Sequence, residues 1–136
     1  MCYNFSGSWS DPGPHSSYED AIGSGSSSSS TGLAYWANYR QFPTSKILLG
    51  IPFYGKDFDN DAAAITYRGI IELYPDAYND DQVLNIYYDG VNTVKAKTRY
   101  VIDNQYSGIM IWEIGQDSRD ATSSLLNAID EEINSY

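Results

Sequence analysis

The chain has 136 residues, enough for one small domain with its own core, and 42% of them are hydrophobic against 19% charged. A net charge of −10 argues against nucleic acid, whose phosphates call for a basic surface, and equally against anionic membranes. No apolar run reaches the length of a membrane span, and one cysteine, Cys2, leaves no partner for an internal disulfide. In chain order, Met1 to Phe5 reads as a short buried strand, with no basic region ahead of an apolar one that would mark an export leader. A long loop from Ser8 to about Thr31 follows, holding Pro12, Pro14 and a mobile low-complexity Gly/Ser tract from Gly23 to Gly32. Leu33 to Gln41 predicts a helix that Pro43 stops.

Lys46-Ile-Leu-Leu-Gly-Ile-Pro-Phe-Tyr-Gly55 is apolar without alternation, the pattern of a parallel strand covered on both faces. Ile65 to Leu73 predicts a helix and Val83 to Asp89 a strand closed by the Asp89-Gly90 turn signal. Asn92 is the expected N-cap of a helix to Asn104, and Gly108 to Ile114 is a second fully apolar strand. Asp117 is the expected cap of a last helix, with Ala121, Leu125, Ile129 and Ile133 on its apolar stripe. Alternating strands and helices of this kind form parallel βα units, and three strands suit a fragment of a (β/α)8 barrel of about 250 residues better than an open sheet. The 13 tyrosines and 3 tryptophans suit either a tyrosine-rich core or a surface that stacks on sugars and hydrogen-bonds to them.

Three segments together resemble the family 18 glycoside hydrolases, the chitinase-like enzymes. Met1-Cys-Tyr-Asn-Phe-Ser-Gly-Ser-Trp9 is similar to the family's sixth barrel strand. Leu49-Gly-Ile-Pro-Phe-Tyr-Gly-Lys56 is similar to the seventh, and Gly108-Ile-Met-Ile-Trp-Glu-Ile-Gly-Gln-Asp117 to the eighth. The resemblance covers residues 1–136. It implies an α/β fold, the C-terminal part of a TIM barrel, with residues 57–91 a short insertion between the last two strands. The family's Asp-x-x-Asp-x-Asp-x-Glu signature, whose Glu protonates the glycosidic oxygen, has no counterpart in the sequence and is expected upstream.

By resemblance, Tyr3 holds the acetamido carbonyl of an N-acetylglucosamine unit, and Asn4 stands where most active members carry an aspartate. Trp112 is the floor under the sugar, Tyr54 and Lys56 line the cleft, and Met1 is the motif methionine beneath the acid. Lys56 replaces a common arginine. The implied chemistry is substrate-assisted retaining hydrolysis of β-1,4 links, with no cofactor and no metal; the substrate is chitin or an N-glycan core. The alternative is a non-catalytic chitinase-like binding protein, favoured by Asn4. A protein acting on such polymers is expected outside the cell or in its envelope. His15, alone in its loop, lacks a second metal ligand nearby, Trp36 is read as helix packing, and Trp9 as a cleft-edge stacking residue. Two open sheet edges, at Met1–Phe5 and Gly108–Ile114, predict self-association or burial in a larger molecule.

Overall fold

The computed structural model describes residues 1–24 and 32–136; residues 25–31, most of the low-complexity tract, lie outside the described residues. The central pair of strands is β1 (Leu48–Pro52) and β6 (Gly108–Trp112), which run parallel with Leu48 opposite Gly108 and Pro52 opposite Trp112. Between them in sequence lies helix α4 (Val91–Asp103), which packs against β6 and against the last helix, α5 (Leu125–Asn134). Leu49, Ile51, Phe53, Val94 and Leu125 form the centre of the core, with no more than traces of exposed surface.

The apolar run from Lys46 to Gly55 is not one strand. It divides at Phe53, whose N–H donates to the Trp112 carbonyl (2.8 Å) while its own carbonyl accepts from the Tyr67 N–H (3.0 Å). Beyond Phe53 the backbone joins a second, antiparallel sheet of order β3-β2-β5-β4. Its strands are β2 (Tyr54–Asp57), β3 (Ala63–Thr66), β4 (Gln82–Val83) and β5 (Ile86–Tyr87). Helix α3 (Tyr67–Leu73) starts two residues later than expected from the sequence, because Ile65 pairs with Gly55 in the ladder and the Thr66 hydroxyl caps Gly69 N–H. The predicted Val83–Asp89 strand is instead a tight hairpin, since Leu84 adopts φ 51° and reverses the chain.

Met1–Phe5 is not a strand. Cys2 N–H reaches the Gly50 carbonyl at 3.4 Å, but Asn4 turns into the left-handed region (φ 62°), so the ladder cannot continue. Gly50 makes this approach feasible: a Cβ there would lie 2.9 Å from Met1 Cα and 3.2 Å from a Tyr3 ring carbon. The predicted Ser8–Thr31 loop contains a short helix, α1 (Tyr18–Ile22), because the Ser17 hydroxyl caps Asp20 N–H. The predicted Leu33–Gln41 helix is a short α2 (Gly32–Ala34) continued by a π-helical turn, Tyr35–Tyr39. Trp36 on it is half-exposed, stacks edge-on with Tyr35 and Phe42, and lines a cavity together with Leu48 of β1.

The two predicted caps also shift. Helix α4 begins at Val91 with Gly90 as N-cap, because Asp81 accepts from Gly90 N–H and from the Thr93 hydroxyl and ties the start two residues earlier than Asn92 would. Ser124 is the N-cap of α5, its hydroxyl accepting from Asn127 N–H. Asp117 caps the same helix from outside, its carboxylate accepting from Leu125 and Leu126 N–H (2.8 and 3.0 Å). Ala121 therefore precedes the helix and Ile133 is exposed; Leu125, Ala128, Ile129 and Glu132 form the buried side.

Candidate functional site

The hydrogen bond from Phe53 to Trp112 levels the C-terminal ends of β1 and β6. Residues leaving those ends meet Asn4 in a cleft of about 300 Å³ lined by Asn4, Tyr54, Lys56, Ala62, Ala64, Trp112 and Gln116. Trp112 is 56% exposed, so a face of its indole is open to a ligand. The peptide bond between Trp112 and Glu113 is cis. Glu113 is exposed, and its carboxylate accepts at 3.4 Å from the Gln116 amide. The Gln116 side-chain carbonyl oxygen is buried with no hydrogen-bond partner among the described residues.

The Tyr54 hydroxyl donates to Asn4 Oδ1 at 2.9 Å, and the Tyr3 ring meets Tyr54 edge-on at 5.9 Å between centroids. Burial, reinforced by the neighbouring Tyr3, pushes Tyr54 up to about 12, so it is a protonated donor at neutral pH. Lys56 is almost buried, and desolvation lowers its pKa. Its ammonium lies 4.9 Å from the centroid of the Trp9 ring. Trp9 folds back over Gly7, where a Cβ would come within 2.5 Å of the indole, and is itself 68% exposed at the edge. Among the described residues, no carboxylate lines the cleft.

Four of the six residues expected at the site converge here: Asn4, Tyr54, Lys56 and Trp112. Tyr3 stands behind Tyr54 rather than on the cleft wall, on a neighbouring cavity of about 610 Å³ that it shares with Met1, Trp36 and Phe42. Met1 is 84% exposed and does not line the cleft; it is held along Gly50, at the start of the segment that Asn4 bends toward the cleft. Reading the sequence missed His15 and Gln116. Gln116 carried no signal beyond its place after the tryptophan. His15 is fully buried behind Asn4 and Tyr54, stacked on the Tyr54 ring at 5.2 Å, although it comes from a Pro/Ser loop.

A family model for the glycosyl hydrolases of family 18 matches residues 1–117. The chain belongs to that family. Among solved structures, this family 18 chain is similar to the chitinase ChiB from the chitin utilization locus of Flavobacterium johnsoniae, with 34% identity, a TM-score of 0.83 and 97% of the chain covered. It is also similar to a chitinase from Bacteroides thetaiotaomicron, with 30% identity, a TM-score of 0.84 and 97% coverage. Among curated proteins it is 23% identical over 145 residues, 68% of the chain, to chitinase B of Serratia marcescens. The chain spans 40% and 43% of the two solved structures and 29% of the curated relative.

Proposed function

We propose that this chain supplies one wall of a saccharide cleft in a glycoside hydrolase that cleaves β-1,4 links next to N-acetylglucosamine. In this reading the Met1–Phe5 segment, β1 and β6 take the places of the sixth, seventh and eighth barrel strands, and residues 57–91 are a short insertion between the last two. The observation that carries the reading is the convergence of Trp112, Tyr54, Asn4 and Lys56 on one cleft at the C-terminal ends of parallel strands, where barrel enzymes build their sites.

The chemistry follows from what these groups offer. The open indole of Trp112 gives a sugar ring an apolar face to lie on. Tyr54 and Asn4 place a hydroxyl and an amide where an acetamido group can be oriented, and Tyr3 braces Tyr54. Holding the acetamido oxygen in line with the anomeric carbon is an orientation effect, and it lets the substrate supply its own nucleophile. The leaving oxygen needs a proton, and among the described residues no carboxylate lines this cleft to give it. The acid is assigned to the strand-four segment of a longer protein, and the 136 residues alone are expected to be inactive. One observation favours a second reading, a saccharide-binding protein without turnover: Asn4 puts a neutral amide where a carboxylate would tune the acid.

The test is hydrolysis of a chromogenic chitobioside by the longer protein containing this chain, with Trp112→Ala and Trp36→Ala as the comparison. Loss of the subsite floor should cost about 100-fold or more in kcat/KM, the scale of a misplaced substrate. Trp36→Ala should act on stability alone, and equal losses in two folded variants would overturn the assignment of Trp112.

A further inference from the structure

His15 is the one histidine in the chain. Its ring is fully buried and faces both Asn4 and Tyr54. Nδ1 lies 3.3 Å from the Asn4 backbone nitrogen, which can only donate, so Nδ1 is the bare acceptor nitrogen. Nε2 lies 3.2 Å from the Tyr54 carbonyl, which can only accept, so Nε2 carries the proton. The two contacts fix one tautomer without reference to any titration. The ring also stacks on the Tyr54 side chain at 28° between planes, and the His15 carbonyl accepts from Phe5 N–H at 3.0 Å.

We infer that His15 is a positioning residue: in its Nε2–H tautomer it clamps the backbone of Asn4 to the backbone of Tyr54 and so sets the hydrogen bond between their side chains. Asn4 needs such a clamp. It sits at φ 62°, outside the extended ladder, and its neighbour Phe5 is held by the same loop. Among the described residues the segment after Cys2 makes no backbone hydrogen bond to β2, so without the clamp the Asn4 amide is free to leave the Tyr54 hydroxyl. A protonated ring would set N–H against N–H at Asn4, within the field of the Lys56 and Lys97 ammonium groups, so the clamp works only while the ring is neutral. The charged and titratable groups facing the ring are Tyr54 and Lys56 on β2 and Lys97 on α4, with Asp89 behind Lys97. The clamp is independent of what occupies the cleft; its consequence for ligand binding rests on the saccharide reading above.

Imidazole nitrogen NMR on the 15N-labelled protein tests the clamp without any substitution. At pH 7 the expected spectrum shows Nε2 protonated and Nδ1 bare; a protonated Nδ1 overturns the inference. In His15→Phe, which keeps the stack and loses both hydrogen bonds, the nuclear Overhauser contact between the Tyr54 ring and the Asn4 side-chain amide should disappear while contacts among Phe53, Val94 and Leu125 persist. In His15→Asn, whose side-chain oxygen can still accept from Asn4 N–H, the Asn4 backbone amide shift should return toward its original position. An unchanged Tyr54–Asn4 contact in His15→Phe overturns the inference. Titration with N-acetylchitotetraose separates the two claims. Wild type that shows the predicted tautomer but no shift at Asn4 or Trp112 sinks the saccharide reading and leaves the clamp. If the tetramer binds, His15→Phe should weaken it about fivefold, the scale of one misplaced hydrogen bond, and equal affinity overturns the positioning role.

Discussion

Tyr54 donates its hydroxyl proton to Asn4 Oδ1 across 2.9 Å, from a position 50 residues further along the chain. The bond ties the N-terminal segment to the start of the antiparallel sheet at the cleft. A double-mutant cycle measures it. Asn4→Gly is the appropriate truncation, because alanine at φ 62° would add backbone strain of its own. Paired with Tyr54→Phe in denaturant unfolding, the cycle should give a coupling of about 1 kcal/mol. A coupling indistinguishable from zero would mean that the two side chains do not support each other.

The neutral His15 ring gives stability a definite pH dependence. Burial, with the Lys56 and Lys97 charges adding to it, lowers its pKa from 6.5 to about 4. Between those values the unfolded chain takes up a proton that the folded chain refuses. The contribution is therefore complete above pH 6.5 and is lost as pH falls toward 4, up to about 3 kcal/mol. Asp89 works in the opposite sense: burial raises its pKa from 3.8 to about 6 against the pull of Lys97, so its cost grows as pH rises through that window. The difference in unfolding free energy between wild type and His15→Phe cancels the Asp89 part. That difference should shrink from pH 7 to pH 4.5, and a constant difference contradicts the neutral clamp.

Behind the site, Lys97 is 0% exposed and donates to the Ser16 carbonyl (2.6 Å), the Ser16 hydroxyl (2.8 Å) and the Asp89 carboxylate. This buried pair ties the loop that carries His15 to α4. Removing one partner strands the other charge, so Asp89→Ala should destabilise by about 3–5 kcal/mol. Lys97→Met together with Asp89→Leu should cost markedly less than the sum of the single changes. Additive losses in thermal or denaturant unfolding would show that the pair is not a unit.

Sequence pattern reached the parallel strands because β1 and β6 are apolar on both faces, and no alternation competes with that reading. It did not reach the break at Phe53, since the run stays apolar through Tyr54 and only the partner changes, from Trp112 on β6 to Thr66 on β3. Leu84 hid the hairpin, because a left-handed leucine has no signature in composition. The motifs singled out Trp112, Tyr54, Lys56 and Asn4, and the fold gathers these four in one cleft. His15 was not legible: its hydrogen bonds to Asn4 and Tyr54 and its stack on Tyr54 join segments that no local pattern connects, and a lone histidine among prolines and serines looks like a surface residue.

The sheet β1–β6 has two strands, and β6 pairs with β1 alone among the described residues. An apolar cavity of about 350 Å³ lies along it, lined by Val101, Ile109, Ile111, Ile129 and Ile133. An edge this apolar and unblunted is a pairing site. Light scattering on the 136-residue chain should therefore give a mass above the 15.2 kDa of one copy. A monodisperse monomer would show that the edge is protected in solution.

The central claim, that the cleft of Asn4, Tyr54, Lys56 and Trp112 takes an N-acetylglucosamine saccharide, is tested most directly by calorimetric titration of N-acetylchitotetraose into the longer protein containing this chain. Hydrolysis is followed in the same samples. Saturable binding is predicted, weakened in Trp112→Ala and in Asn4→Gly but not in Trp36→Ala. Cleavage alongside binding supports the hydrolase, and binding without cleavage supports the saccharide-binding reading that Asn4 favours. No binding, or binding that is indifferent to Trp112 and Asn4, would contradict the claim.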